Sequence, residues 1–284
     1  MYLRKVFITL LILSGWLVVA SEVAFAAEVN IAEFQYNEKG VATFDMKDYE
    51  DALIYCEDAL NANPDDAIAW NGLGYIANYQ KDYDMAIRYC SKAIAINPDY
   101  AAPWNNLGYA YNFKQEINKA IKCYKKASKL DPKDAVPLIN LGSLYDEQSN
   151  YDTAILYHKK ALEIDPNYAG AWSNLGYTFS HKGELNKGFE YCQKATELDA
   201  GNAAAWNGLG YVYNQQKKYY KGAECCRQAV SLDSNFANAW NNLGYAYAML
   251  GRYQDSFKAY QKAFDLEPTN KLYKKNLDTA QKRL

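Results

Sequence analysis

From Glu33 to Asn270 the chain is ruled into seven units of 34 residues, beginning at Glu33, Ala67, Ala101, Ala135, Ala169, Ala203 and Ala237, with no insertion or deletion between them. A fixed period of this length means one supersecondary element repeated and stacked on its neighbours, because a single unit cannot bury its apolar face alone. Such a chain builds extended surface rather than an enclosed pocket.

The columns of the repeat give the element. Position four holds Trp70, Trp104, Trp172, Trp206 and Trp240, with Tyr36 and Leu138 in the other two units. Position seven holds Leu73, Leu107, Leu141, Leu175, Leu209 and Leu243, and position eight is glycine throughout, from Gly40 to Gly244. Position eleven is Tyr111, Tyr145, Phe179, Tyr213 or Tyr247 in five units. Steps of three, one and three place these side chains on one face of an amphipathic helix. After a short polar link such as Gln80-Lys81-Asp82, a second apolar stripe (Tyr83, Ala86, Ile87, Cys90, Ala93, Ile96) predicts a second helix, which Pro64, Pro98, Pro132, Pro166 and Pro268 stop. Each unit is a helical hairpin. Glycine inside a helix costs about 1 kcal/mol relative to alanine, so its recurrence calls for a packing reason. The expected partner is the small residue of the second helix: Ala52, Ala86, Ala120, Ala154, Gly188, Gly222 or Ser256.

With Trp, Leu-Gly and Tyr early, then Ala, an aromatic and Pro, the 238 repeat residues of the 284 resemble the tetratricopeptide repeat family. The departures are Lys39 in place of Leu, and Ala200 and Ser234 in place of the terminal proline, where looser turns are expected. The resemblance implies an all-α fold, a right-handed α-solenoid superhelix of antiparallel helix pairs, with first helices lining a concave groove and second helices outward. The Trp column is expected to be buried glue between the hairpins.

Two segments flank the array. Residues 1–26 read as a signal peptide: Arg4 and Lys5, an apolar run from Val6 to Ala20, and the small-x-small site Ala24-Phe25-Ala26. An uncleaved anchor is the alternative, and either places the protein outside the cytoplasm, periplasmic or secreted. Residues 27–32 form a short lead-in. Residues 271–284 are expected to form a capping helix with an apolar stripe of Tyr273, Leu277, Ala280 and Leu284, whose far face is polar where another repeat would dock.

Charge and motif content exclude several classes. A net charge of -2 from 31 basic and 33 acidic residues gives no electrostatic footprint for nucleic acid. No metal, cofactor or catalytic motif is found, so no cofactor and no enzyme is expected. Cys56, Cys90, Cys192 and Cys226 share one slot of the second helices and Cys123 and Cys225 the slot before it; equivalent slots are about a helix diameter apart, too far for a bridge, and adjacent Cys225 and Cys226 cannot bridge comfortably within a helix, so most or all are expected to be buried, reduced fillers. His158 stands alone in the same slot.

Function is expected on the other face of the first helices. Position five, then four and seven residues on, reads Asn71, Tyr75, Asn78; Asn105, Tyr109, Asn112; and Asn207, Tyr211, Asn214, with Tyr177, Asn241 and Tyr245 in partial copies. Beside it runs a second file of Asn106, Asn140, Asn174 and Asn242, which either contacts ligand or ties helix to helix. Asparagine supplies a donor and an acceptor, suited to the amides of an extended polypeptide, and tyrosine adds rigid amphipathic area. Asp146 and Glu147 make the fourth unit more acidic, suited to a basic side chain. The lysines and arginines with which some family members clamp the acidic tail of chaperones are absent. The expected function is a non-catalytic protein–protein scaffold of the bacterial envelope, holding an extended segment of another protein. A glycan-binding module using the same groove and a self-assembling homo-oligomeric array are the alternatives.

Overall fold

The computed structural model describes residues 46–284; the expected leader and lead-in and the first helix expected for the first unit, with Tyr36, Lys39 and Gly40, lie outside the described residues. The described chain is all-α, with no strand. Its helices are α1 (Met46–Ala62), α2 (Ala67–Tyr79), α3 (Tyr83–Ile96), α4 (Ala101–Phe113), α5 (Ile117–Leu130), α6 (Val136–Glu147), α7 (Tyr151–Ile164), α8 (Ala169–His181), α9 (Leu185–Leu198), α10 (Ala203–Gln215), α11 (Tyr219–Leu232), α12 (Ala237–Met249), α13 (Tyr253–Leu266) and α14 (Lys271–Gln281). They form two units, one ending at Asp131 and holding α1 to α5, the other running from Pro132 to Leu284 and holding α6 to α14. Within each unit a first helix packs on its own second helix and on the first helix of the next repeat.

Local chemistry sets where the helices begin and end. Asp66 caps α2 by accepting from the amides of Ile68 and Ala69, and Asn202 and Asn270 cap α10 and α14 in the same way. Pro137 occupies the first turn of α6, where a missing amide costs nothing. Each first helix ends in one left-handed residue: Lys81, Gln115, Ser149, Gly183, Lys217 or Gly251. This residue turns the chain into the second helix, and only two of the six are glycine.

The tryptophans work differently from the sequence expectation. All five are half-buried rather than buried, and each indole Nε1 donates to a turn carbonyl six residues earlier: Pro64, Pro98, Pro166, Ala200 and Ser234, at 2.8–3.1 Å. The bond to Ala200 (2.8 Å) and that to Ser234 (2.9 Å) are as short as those to the prolines. The turns without proline are therefore not looser at this point, because the carbonyl, not the ring, is what the indole holds.

The glycine column also needs a correction. A Cβ on Gly74, Gly176 or Gly210 would lie 2.4 Å from the Sγ of Cys90, Cys192 or Cys226, and one on Gly108, Gly142 or Gly244 would strike the ring of Tyr124, His158 or Tyr260. What faces the glycine is thus a filler on the second helix, four residues beyond the small residue. The small residue contributes its backbone: the carbonyl oxygens of Gly188 and Gly222 would lie 2.9 and 3.2 Å from a Cβ on Gly176 and Gly210. In the cap, Tyr273, Leu277 and Ala280 are buried and the Tyr273 hydroxyl donates to Asn238 Oδ1 at 2.7 Å, but Leu284 is exposed and drops out of the expected stripe.

His158 is 0% exposed, and neither ring nitrogen has a hydrogen-bond partner among the described residues. Burial lowers its pKa to about 4, against the opposing pull of the Asp146 charge. The imidazole is therefore neutral in the fold, while the unfolded chain takes up a proton below about 6.5. Stability is full above about pH 6.5 and falls by about 3 kcal/mol as the pH drops to about 4. Urea titrations at pH 7 and pH 4 are expected to show that loss shrink in His158→Tyr, which carries the residue found at Tyr124 and Tyr260. Separately, Lys217→Gly relieves a left-handed lysine whose side chain is exposed, and is expected to stabilise the fold by about 1 kcal/mol in thermal unfolding.

Candidate functional site

The asparagines expected to meet a ligand are turned into the stack. Asn71 and Asn207 are 3% and 2% exposed, and Asn78, Asn105, Asn106 and Asn214 are buried with them. Asn106 Nδ2 donates to Asn71 Oδ1 at 2.9 Å, Asn242 Nδ2 to Asn207 Oδ1 at 2.9 Å, and Asn276 Nδ2 to Asn241 Oδ1 at 2.8 Å. Two turns further on, Asn78 Nδ2 donates to the Asn106 carbonyl at 2.9 Å and Asn214 Nδ2 to the Asn242 carbonyl at 3.0 Å. Each of these bonds joins the first helix of one repeat to the next helix of the inner layer. The two files expected to be separate are two halves of one ladder. Position five of the fourth unit is Ile139, so Asn174 donates instead to Ser143 Oγ, at position nine, at 3.4 Å; Asn140 is half-buried, and Asn112 is half-buried with its Oδ1 enclosed and without a partner among the described residues. The expected groove role of Asn71, Asn78, Asn207 and Asn214 is corrected accordingly: an amide buried in a neighbouring repeat cannot also meet a polypeptide.

The acidic centre changes too. Asp146 Oδ2 pairs with His181 Nδ1 at 2.7 Å, linking α6 to α8, and its Oδ1 is enclosed without a partner. Asp146 is thereby withdrawn from a ligand. Glu147 remains exposed with no ion pair among the described residues; partial removal from water, then the Asp146 charge, raises its pKa above the ordinary carboxylate value.

Tyr109, Phe113 and Tyr245 stay exposed beside half-buried rings. In the first unit Tyr109 is 38% exposed, beside Phe113 at a ring separation of 4.7 Å, and Phe113 stacks on Tyr83 at 5.0 Å. Tyr75 is half-buried on the preceding first helix. In the second unit the rings of Tyr177 and Tyr211 are 5.6 Å apart, His181 meets Tyr211 edge-on at 5.3 Å, and Tyr151 and Tyr219 contribute from the start of second helices, 6.2 Å from His181 and Tyr245 respectively. Tyr245 is 40% exposed. Tyr177 and Tyr211 are half-buried, and burial raises the pKa of both, so their phenols remain protonated at neutral pH. The strip ends in a cleft of about 190 Å³ walled by Tyr245, Met249, Tyr253 and Tyr260 with Arg283 at its edge. Phe113, His181 and Met249 escaped the sequence expectation. The signal was present: they hold position thirteen, four residues and one helical turn beyond the tyrosine of position nine.

The thiols are inert by environment. All six cysteines are free and buried, and burial pushes Cys90 and Cys192 up to about 12. Among the described residues no cluster of three or more His, Cys, Asp or Glu is placed to hold a metal ion, and no helix is long and apolar enough to cross a membrane.

Sequence profiles described as Tetratricopeptide repeat match residues 36–66, 67–100, 99–167, 159–189, 203–236 and 237–270. The chain belongs to the tetratricopeptide repeat family. A search of curated proteins found no match. Among solved structures, the Cut9–Hcn1 hetero-tetramer of the APC/C is similar at a TM-score of 0.72 and 20% identity, over 82% of this chain and 46% of that one. This chain thus spans less than half the length of that relative. A tetratricopeptide repeat protein of Parabacteroides merdae ATCC 43184 is similar at 0.67 and 16% identity, over 92% and 99% of the two chains. A thermophilic one of Thermus thermophilus is similar at 0.58 and 19% identity, over 64% and 98%. At these identities the likeness is one of fold, an all-α solenoid of stacked hairpins; membership of the tetratricopeptide repeat family is what supports a protein–protein interaction scaffold.

The ladder predicts that Asn207→Ala, which strips partners from Asn242 Nδ2 and from the Tyr177 hydroxyl, lowers the unfolding free energy by about 1–3 kcal/mol in urea titration. Asn118→Ala, on the exposed outer side of α5, is the control expected to change it by less than about 0.5 kcal/mol.

Proposed function

We propose that this protein is a non-catalytic scaffold of the cell envelope that holds an extended segment of another protein along the aromatic strip of its first helices. The observation that supports this is the division of labour in the inner layer. The buried amides are closed into the ladder, whereas on consecutive first helices Tyr177 and Tyr211 are half-buried, the Tyr177 hydroxyl accepting from Asn207 Nδ2, and Tyr245 is exposed. Tyrosine presents a large rigid face at low entropic cost and keeps a polar tip, which is why it is enriched at protein interfaces. A long, shallow, uncharged row of such faces suits a chain laid along it better than a compact ligand. Withdrawal of the asparagines removes the polar partners that a sugar would need, so the glycan alternative has no supporting observation. Placement in the envelope rests on the leader at residues 1–26.

The test is capture of an immobilised library of unstructured peptides by the mature chain and by Tyr211→Ala/Tyr245→Ala. Loss of two aromatic contacts is expected to weaken capture by about tenfold or more with an unchanged helical signal at 222 nm. Equal capture by both proteins would remove the strip from the function.

A further inference from the structure

The cleft where the last repeat meets the cap differs from the strip that leads to it: it is concave, and it carries a charge. Tyr245 and Met249 of α12, Tyr253 and Tyr260 of α13 and the residues of α14 wall it, with Arg283, just beyond α14, at the edge. Most of its polar lining is engaged within the fold. Ser256 Oγ donates to the Gly244 carbonyl, Asn276 Nδ2 to Asn241 Oδ1 and Thr279 Oγ1 to the Lys275 carbonyl, each at 2.8 Å.

Three polar groups of the cleft are left over. The hydroxyls of Tyr253 and Tyr260 have no hydrogen-bond partner among the described residues, and Arg283 has no ion pair among them. Tyr260 is 6% exposed, and a phenol buried that far ordinarily finds a partner for its hydroxyl. Burial, then the neighbouring Tyr245, pushes its pKa up to about 12 against the pull of the Arg283 charge. The hydroxyl therefore keeps its proton at neutral pH, and the guanidinium is near enough to be felt there. Arg283 lies over the Tyr253 ring, 5.9 Å from its centroid. Among the described residues no Asp or Glu lines the cleft, and the acids close to it in the chain are taken, Asp255 by Arg252 and Asp278 by Lys274.

Size and chemistry limit the occupant. The cleft holds about 190 Å³, and a cavity of about 150 Å³ takes one benzene ring. A single ring with a short arm fills such a space. Tyrosine faces and a methionine thioether suit an aromatic group, and one guanidinium with a phenolic O–H suits one carboxylate. An apolar cleft with a few unspent polar groups is the ordinary form of a small-molecule site.

We propose that this cleft binds a small aromatic monocarboxylate, its ring among Tyr245, Met249 and Tyr253 and its carboxylate held by the Arg283 guanidinium and the Tyr260 hydroxyl. The site goes beyond the scaffold reading and stands whether or not the strip takes a segment.

The probes are phenylacetate, its neutral isostere phenylacetamide, and acetate, each titrated into the ¹⁵N-labelled protein and read from the backbone amide shifts of Thr279, Ala280 and Arg283. Phenylacetate is expected to bind with a Kd of about 1 mM, an ordinary efficiency for so small a ligand in an open site. Phenylacetamide should bind about tenfold more weakly, and acetate should show no saturation at about 20 mM. Arg283→Gln, at an exposed position, is expected to bring phenylacetate down to the level of phenylacetamide. Tyr260→Phe keeps the ring that packs against Gly244 and should weaken phenylacetate about threefold without lowering the unfolding temperature, because the lost hydroxyl bonds nothing in the fold. No phenylacetate binding at about 20 mM, binding equal to that of phenylacetamide, or binding unchanged in Arg283→Gln overturns the proposal. Acetate binding as tightly as phenylacetate overturns the place given to the ring. Full affinity in Tyr260→Phe, or a lowered unfolding temperature, overturns the place given to the hydroxyl.

Discussion

Everything in this architecture depends on how closely two helices of one hairpin can approach, and that distance is set where a glycine meets a filler. A Cβ on Gly176 would lie 2.4 Å from Cys192 Sγ and 2.9 Å from both the Cys192 amide nitrogen and the Gly188 carbonyl. Backbone on both sides leaves nowhere to shift. Because the filler slot tolerates Cys, Tyr or His so long as the glycine is bare, the hairpin keeps one geometry while the filler changes. Identical hairpins then stack in register, and a side chain in one column meets the same neighbour in each repeat.

Register is what makes the asparagine ladder feasible. The bonds Asn106 to Asn71, Asn242 to Asn207 and Asn276 to Asn241 each span 35 residues, one repeat plus one position. Such amide pairs, buried at Asn71, Asn106 and Asn207 and half-buried at Asn241, Asn242 and Asn276, favour one stacking register over its neighbours, because a slip would leave them unpaired. Where the fourth unit brings Ser143 and Asp146 instead of Tyr and Asn, the pairings are Asn174 with Ser143 and His181 with Asp146. The inner layer is thus tied by side chains that are buried at Asn71, Asn106, Asn207 and Asn214 and half-buried at Asn174, Asn241 and Asn242, and Tyr109 and Tyr245 are the tyrosines most exposed beside it.

Much of this was legible in the sequence because helical periodicity reports burial directly. Spacings of three and four fixed the hairpins, and the cap followed from Tyr273 and Leu277 continuing the stripe. The asparagines misled for a physical reason. A polar residue one step off the apolar face reads as exposed in a single helix, whereas Asn71 and Asn207 are covered by the neighbouring repeat, which periodicity within one helix cannot represent. The 35-residue offset between the two asparagine files was the available signal, since donors and acceptors recurring at one repeat plus one position are placed to bond each other. The tryptophans misled in the opposite sense: hydrophobic mass suggested burial, and the indole N–H, a donor that must find an acceptor, was the overlooked clue.

The central claim is that the asparagines hold the repeats together and the tyrosines are left for a partner. Hydrogen exchange of the asparagine side-chain amides, followed by NMR on the ¹⁵N-labelled protein, tests it most directly. The account predicts that the amide protons of Asn106, Asn214 and Asn242 exchange far more slowly than those of the exposed Asn167. Exchange of both groups at the same solvent-limited rate would place those amides in water and contradict it.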